Sequence, residues 1–128
     1  MSNNPTDLRY SKEHQWARVE DDVVYVGITD YAQDSLGEVV YVDLPTVGDE
    51  YDASEEISTV ESVKTTSSIY NPIAGVVASI NEDLEDSPEL INDDPYENYI
   101  YTLKDANLAQ LDDLLSASEY EEYIRTLD

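Results

Sequence analysis

The apolar positions along this chain fall mostly into short β-branched and aromatic runs, interrupted at close intervals by turn residues. Val23-Val24-Tyr25-Val26 has the composition that strands prefer. Glu38 to Leu44 reads as another strand, closed by Pro45 and a turn near Gly48. Glu55 to Val63 and Ser67 to Tyr70 read as the two arms of a hairpin with a short polar tip. Gly75 to Ile80 alternates, which predicts Val76, Ala78 and Ile80 on one face. Asn98 to Leu103 reads as the last strand. Many short strands with regular turn signals predict a sandwich or barrel.

Helical spacing is confined to short stretches. Asp30 to Leu36 reads as a helix with Asp30 as N-cap, Gln33 three residues on and Gly37 as its stop. Ser87-Pro88-Glu89 reads as an N-cap with proline at the first helical position. Leu108, Leu111, Leu114 and Leu115 fall at helical spacing. Ser118 and Glu121 predict a capping box for a final helix carrying Tyr120, Tyr123 and Ile124. We read these apolar stripes as core. A weak echo links Gly37-Glu38-Val39-Val40 with Gly75-Val76-Val77-Ala78, as a sandwich of two related halves would have.

A chain of 128 residues fits a single domain with a core of its own. We expect residues 1–7 to be flexible and 105–128 to form a C-terminal helical region. The chain has no cysteine, so no disulfide, thiolate metal site or cysteine nucleophile. Its single histidine, His14, excludes a multi-histidine metal site. No apolar run approaches a membrane span, and the N-terminus lacks the pattern of a signal peptide, so a cytoplasmic protein is expected.

Charge changes the picture most. The net charge is −24, with 30 acidic residues against 6 basic ones. Nucleic-acid binding, which needs a basic surface, is excluded. A disordered acidic tail fits poorly, because the acids are spread along a chain that is 41% hydrophobic. Steering of cationic partners and adaptation to a high-salt cytoplasm both fit. Scarce lysine and 11 tyrosines beside no phenylalanine favour the halophilic reading.

The chain offers little chemistry of its own. It has no Gly-rich phosphate loop and no Gly-x-Ser-x-Gly elbow, and its carboxylates are too many to single out a pair. His14 reads as a hydrogen-bonded histidine beside Trp16. One residue stands out. Lys64, one of only three lysines, sits in Glu61-Ser62-Val63-Lys64-Thr65-Thr66-Ser67-Ser68-Ile69, at the hairpin tip. There a lysine is exposed and within reach of a modifying enzyme.

The wording around Lys64 resembles the H-protein family of the glycine cleavage system, and Lys64 falls on that family's lipoylated lysine. Leu8-Arg9-Tyr10 with His14-Gln15-Trp16, Val26 to Gln33, Leu36 to Pro45, Leu84 to Asn92 and Pro95-Tyr96 are similar to further blocks of the family, in family order. The neighbouring carriers differ. Lipoyl domains of 2-oxoacid dehydrogenases put aspartate where Val63 stands, and biotin carriers flank their lysine with methionines, whereas the only methionine here is Met1.

The resemblance implies a mainly β hybrid barrel-sandwich of the lipoyl/biotinyl-carrier type, with short helices and a C-terminal helical region, acting as a monomeric carrier without catalysis of its own. It implies lipoate on Lys64, attached by a lipoate-attaching enzyme, with Glu61 and Val63 of the lipoylation motif and Glu13, His14, Gln15 and Ser68 as the further cofactor-binding positions. Its partners would be glycine decarboxylase (P protein), aminomethyltransferase (T protein) and dihydrolipoyl dehydrogenase (L protein). The loaded arm would be sheltered in a cleft. Three positions depart from the family there: Gln15 stands in place of an acid, Glu13 in place of a serine, and Ser68 in place of an aspartate. Glu13, beside His14, would then substitute for the missing acid. Thr65 and Thr66 replace small residues. Tyr96-Glu97-Asn98-Tyr99 lacks the family's glycine, with Asn98 expected to take its left-handed conformation. Two other functions stay open: a relay passing lipoate to other proteins, and an unmodified interaction module.

Overall fold

The computed structural model describes residues 5–127. Strand β2 (Gln15–Glu20) turns through Asp21, which adopts φ 55°, into β3 (Val23–Ile28). Along β2 the pleat sends neighbouring side chains to opposite faces. Trp16 faces one apolar cluster and Ala17 the other. In β3, Val24 and Val26 join Ala17, while Tyr25 lies against the Trp16 cluster. Trp16 stands opposite Gly27 in the ladder, and its indole covers it, since a Cβ on Gly27 would lie 2.8 Å from the ring.

Strands β1 (Arg9–Tyr10), β4 (Val39–Asp43), β5 (Glu50–Tyr51), β6 (Glu56–Ser62), β7 (Thr66–Tyr70), β8 (Gly75–Ile80) and β9 (Tyr101–Lys104) complete two antiparallel sheets. One is six-stranded in the order β1-β2-β3-β9-β8-β5, the other three-stranded in the order β4-β6-β7. Val24, Val26, Val77 and Leu103 of the first sheet and Val42, Val60 and Ile69 of the second are all buried in one core. This is the sandwich the sequence predicts, with short helices.

Helix α1 (Asp30–Leu36) has the predicted span, but its cap is Thr29, whose Oγ1 accepts from the Ala32 N–H at 3.2 Å. Asp30 is the first helical residue, and its carboxylate accepts from Gln33 Nε2 at 2.8 Å. The start is set one residue earlier because Thr29 is fully buried and held from elsewhere in the fold. The Tyr96 hydroxyl accepts from the Asp30 N–H at 3.0 Å, and burial pushes that phenol up to about 12.

Short helices α2 (Asp83–Asp86) and α3 (Leu90–Asp93) follow β8. Helix α3 begins after Ser87-Pro88-Glu89, which form a turn ahead of it. Asn98 does not take the left-handed conformation. It closes the turn with its side chain, donating to the carbonyls of Leu90 at 2.9 Å and Asp94 at 3.0 Å. In β8 the alternation predicted for Val76, Ala78 and Ile80 is broken by an irregularity between Val77 and Ser79, and Val77 is the fully buried residue. The glycine echo has no common local basis. Gly37 ends α1 at φ 78°, while Gly75 lies within a strand, tight against Leu103 and Ala106.

The leucine-spaced stretch forms a 3-10 helix (Leu108–Asp113) that ends before Leu115, which instead pairs with Tyr10 as an isolated bridge. That bridge anchors the chain, and α4 (Ala117–Arg125) starts directly after it, capped by Ser116 with Glu119 and not by Ser118 with Glu121. Ser116 Oγ accepts from the Glu119 N–H, and the Glu119 carboxylate accepts from the Ser116 N–H at 2.9 Å, which holds that carboxyl below its usual range. A helix of 9 residues is shorter than the roughly 12–15 needed to stand alone in water. Burial of Ala117, Tyr120 and Ile124 against Leu8, Tyr10 and Trp16 supplies the rest, at about 1.5–3 kcal/mol for each large apolar side chain. Of the segment 1–7, residues 1–4 lie outside the described residues, as does 128; the Pro5 carbonyl accepts from the Tyr10 hydroxyl at 2.6 Å. No helix among the described residues is long and apolar enough to cross a membrane.

Candidate functional site

The β6–β7 ladder ends at the pair Glu61 and Thr66, so Ser62 to Thr65 form the tip. Ser62 organises it from within. Its N–H donates to the Thr65 carbonyl at 2.8 Å, and its Oγ accepts from the N–H groups of Lys64 and Thr65, each at 3.2 Å. Serine hydroxyls commonly satisfy turn amides in this way. The Val63 N–H donates to the Glu38 carbonyl at 3.0 Å, tying the tip to the strand that follows α1. Lys64 is exposed and, among the described residues, makes no ion pair. Val63 is 65% exposed beside it, and Glu61 is exposed at the end of the ladder. The lysine's backbone is therefore fixed while its amine is presented to solvent.

A cleft of about 310 Å³ adjoins the tip. One wall is the Glu13-His14-Gln15 turn, one is α1 with Tyr31, Ala32, Ser35 and Leu36, and one is Thr65, Thr66 and Ser67 next to Lys64. Of the predicted site residues, Glu13, His14 and Gln15 thus share one cleft whose rim includes the residues following Lys64. Ser68 sits half-buried opposite Thr59, outside the lining, while its neighbours Ser67 and Ile69 line the cleft.

Gln15 is 1% exposed and already engaged. Its Oε1 accepts from Ser11 Oγ at 2.9 Å, and its Nε2 donates to the Glu13 carbonyl at 2.8 Å. Glu13 is exposed, so its carboxylate is the cleft's accessible acid. His14 occupies a left-handed backbone conformation at φ 73°. It is hydrogen-bonded, as expected, and its partner is Tyr120. Its Nδ1 lies 2.7 Å from the Tyr120 hydroxyl, whose oxygen lies 2.8 Å from Thr29 Oγ1.

Burial lowers the His14 pKa, which favours the neutral ring. One arrangement then satisfies every hydrogen: the Ala32 N–H donates to Thr29, the Thr29 hydroxyl to Tyr120, and the Tyr120 hydroxyl to His14 Nδ1. Nε2–H is left as a donor toward solvent or a guest. Tyr31 lies against the imidazole at 4.8 Å, and Tyr10 stacks on Tyr120 at 4.8 Å.

Sequence reasoning missed the α1 wall and Tyr120. The α1 wall left a faint signal, since Tyr31 and Ser35, and Ala32 and Leu36, are spaced four apart on a predicted helix. Tyr120 left none, because its link to His14 spans 106 positions.

A β-sandwich that presents a solitary exposed lysine on a hairpin tip, with no metal-binding cluster among the described residues, has the build of a carrier domain. Comparison with known proteins narrows this. The profile of the glycine cleavage H-protein family matches residues 8–127. The chain is 49% identical to the glycine cleavage system H protein of Halalkalibacterium halodurans, covering 97% of this chain and 98% of that one. It is 54% identical to its counterpart in Psychrobacter cryohalolentis, covering 94% and 98%. The crystal structure of a glycine cleavage system H protein from Mycobacterium marinum superposes with a TM-score of 0.82 at 36% identity, covering 91% of this chain and 94% of that one. The chain belongs to the glycine cleavage H-protein family. This is a family of lipoyl carriers, non-catalytic subunits of the glycine cleavage system that hold lipoate on a lysine.

Proposed function

We propose that Lys64 is the lipoylated residue and that the chain carries the aminomethyl group of glycine between the enzymes of the glycine cleavage system. The observation that carries this reading is the place of Lys64, exposed on a turn held by Ser62 and directly beside a cleft. Lipoate, when bound, would supply dithiolane chemistry: its S–S bond would open as one sulfur takes the aminomethyl group and the other a proton, and the dithiol left after that group is passed on would give up two electrons. Glu61 and Val63 form the surface read by the lipoate-attaching enzyme. The partners are glycine decarboxylase, aminomethyltransferase and dihydrolipoyl dehydrogenase, each of which must reach the same tip. Intact mass and peptide mapping of the protein from its own host test the assignment. Lipoate on Lys12 or Lys104, or on no residue, would overturn it.

In the cleft, Glu13 holds the cationic amine of the loaded arm, because the amide of Gln15 is engaged by Ser11 and by the Glu13 backbone. An ionised acceptor makes the stronger hydrogen bond to an ammonium. A neutral His14 adds no repulsion. Ser68, outside the cleft lining, takes no part in holding the arm. The check is the hydrolysis rate of the loaded, isolated protein, which Glu13→Gln should raise. An unchanged rate in Glu13→Gln beside a raised rate in Gln15→Ala would reverse the assignment.

The whole chain, 1–128, is read as one carrier domain, working as a monomer in a salt-rich cytoplasm. A net charge of −24 supports the salt requirement. At 0.01 M ionic strength the screening length is about 30 Å and at 1 M about 3 Å, so most of the surface repels itself only in dilute buffer. The melting temperature should rise steadily with potassium chloride. A flat profile from dilute buffer to molar salt would remove the halophilic reading and leave the carrier role untouched.

A further inference from the structure

Asn92 lies in α3, far from Lys64 along the chain, yet its side chain holds the backbone on which the lysine rests. Its Oδ1 accepts from the Val39 N–H at 2.8 Å. Its Nδ2 donates to the Gly37 carbonyl at 2.8 Å and to Gln33 Oε1 at 3.0 Å. Gln33 is held in its turn by donating to Asp30 Oδ1 at 2.8 Å. One amide therefore braces both ends of the Gly37-Glu38-Val39 segment, with its acceptor and both donors in use. Between those ends the Glu38 carbonyl accepts from the N–H of Val63, the residue before Lys64. The braced segment and the hairpin tip are one joined unit.

Two separate demands fall on Gly37. Its backbone sits at φ 78°, ψ −151°, a region that side chains strongly disfavour. It also lies under the end of the Lys64 side chain. A Cβ on Gly37 would stand 2.9 Å from Lys64 Cε, 3.6 Å from Nζ and 4.0 Å from Cδ. The end of the lysine stem crosses bare backbone that only glycine leaves open.

We propose that Gly37 and Asn92 form a seat for the Lys64 stem, and that Asn92 is a positioning residue that sets where the ε-amine stands for acylation. This rests on the reading of Lys64 as the lipoylated residue. The seat touches methylenes, which are the same before and after the amide forms. An ionic partner would act differently, holding the free ammonium and losing its grip on the neutral amide. Each carbon contact is weak, so the seat biases the arm without trapping it. Without it the stem samples its full rotamer set, and the amine is misplaced more often when the attaching enzyme docks.

The test uses the full-length, unmodified protein with 13C at the lysine Cε positions. A nuclear Overhauser contact between Lys64 Hε and Gly37 Hα is expected, and its absence from the folded wild type overturns the seat outright. Asn92→Ala should abolish that contact and leave the ε signals of Lys12 and Lys104 unmoved. With a lipoate ligase and lipoate, its kcat should fall roughly tenfold while KM stays within about twofold. Asn92→Asp keeps the acceptor for Val39 and loses both donations, so it should behave alike, and it carries the test should Asn92→Ala fail to fold. A merely structural role predicts a lower melting temperature with kcat of the folded protein unchanged, and that result overturns the positioning role. Persistence of the contact in folded Asn92→Ala overturns it as well. Peptide mapping of the ligase-treated wild type separates the two readings. Modification elsewhere than Lys64 overturns both, whereas a modified Lys64 with unaltered variant kinetics overturns the seat alone.

Discussion

The hairpin tip and the cleft beside it are built in opposite ways. At the tip, Ser62 satisfies the amides of residues two and three positions away. In the cleft, the hydroxyl of Tyr120 reaches back 106 positions to His14 and 91 positions to Thr29. The tip's internal bonds come from a few residues in a row, with one further bond, from the Val63 N–H to the Glu38 carbonyl, tying it to the chain beyond the hairpin. The cleft exists only once β2, α1, the hairpin and α4 are packed together. The turn that carries the lysine is thus bonded mainly within itself, while shelter for what it carries depends on the whole fold.

The largest effect should come from Lys64→Arg, which separates presentation from shelter completely. A guanidinium keeps the charge but is not an acceptor for lipoate, so modification should be abolished. At an exposed turn the stability should shift by no more than about 0.5 kcal/mol. Intact mass after ligase treatment, beside a urea titration, reads both. Any lipoylation of the variant would mean that another residue is the site.

Tyr120→Phe probes the other region. It keeps the ring stacked on Tyr10 but removes the hydroxyl shared by His14 and Thr29. A buried partner left without its hydrogen bond costs about 1–3 kcal/mol, so unfolding should shift to lower urea by that amount. Lipoylation of Lys64 should proceed at the wild-type rate. If it slows, tip and cleft are coupled and the contrast between them is weaker than their hydrogen bonds suggest.

Ser62→Ala should be milder. Water can replace the lost hydroxyl at an exposed turn, so the cost should stay near the low end of the hydrogen-bond range, about 0.5 kcal/mol. Its signature is local: amide exchange at Lys64 and Thr65 should accelerate while amides of α1 and α4 stay protected. Faster exchange in α4 would show that the tip is coupled to the fold beyond its Glu38 contact.

The smallest effect concerns pH. Burial holds His14 below its ordinary value of 6.5, so the unfolded chain takes up the proton first as pH falls. This contribution to stability is complete above 6.5, is lost as pH drops below it, and levels off once the folded imidazole is also protonated. His14→Asn tolerates the left-handed backbone at φ 73° and removes the titration. Between neutral and mildly acid pH the variant should show a shallower loss of stability than the wild type. Parallel curves would mean that His14 is not held neutral by its surroundings.

Local signals carried far in this chain. The start of β3, the spans of α1 and β8, the hairpin and the tip position of Lys64 all follow from composition, spacing and turn chemistry. Where the reading slipped, a distant partner decided between near-equivalent local choices. Asp30 and Thr29 are both good caps, and Tyr120 on α4 holds Thr29. Ser116 and Ser118 both precede a glutamate by three, and the bridge of Leu115 to Tyr10 starts the helix at Ser116. Asn98 closes its turn through its side chain because the carbonyls of Leu90 and Asp94 converge on it.

The amino-acid order by itself determined that the chain is a β-rich, cysteine-free domain with one lysine on a hairpin tip, and its wording named the family. Those features depend on residues within a few positions of one another, whose energetics are local. Tertiary structure alone decided which walls enclose the cleft, which tyrosine orders His14, and that Asn92 braces the glycine under Lys64. Each of those depends on side chains brought together across tens of positions, and a linear sequence does not encode that distance in any short pattern.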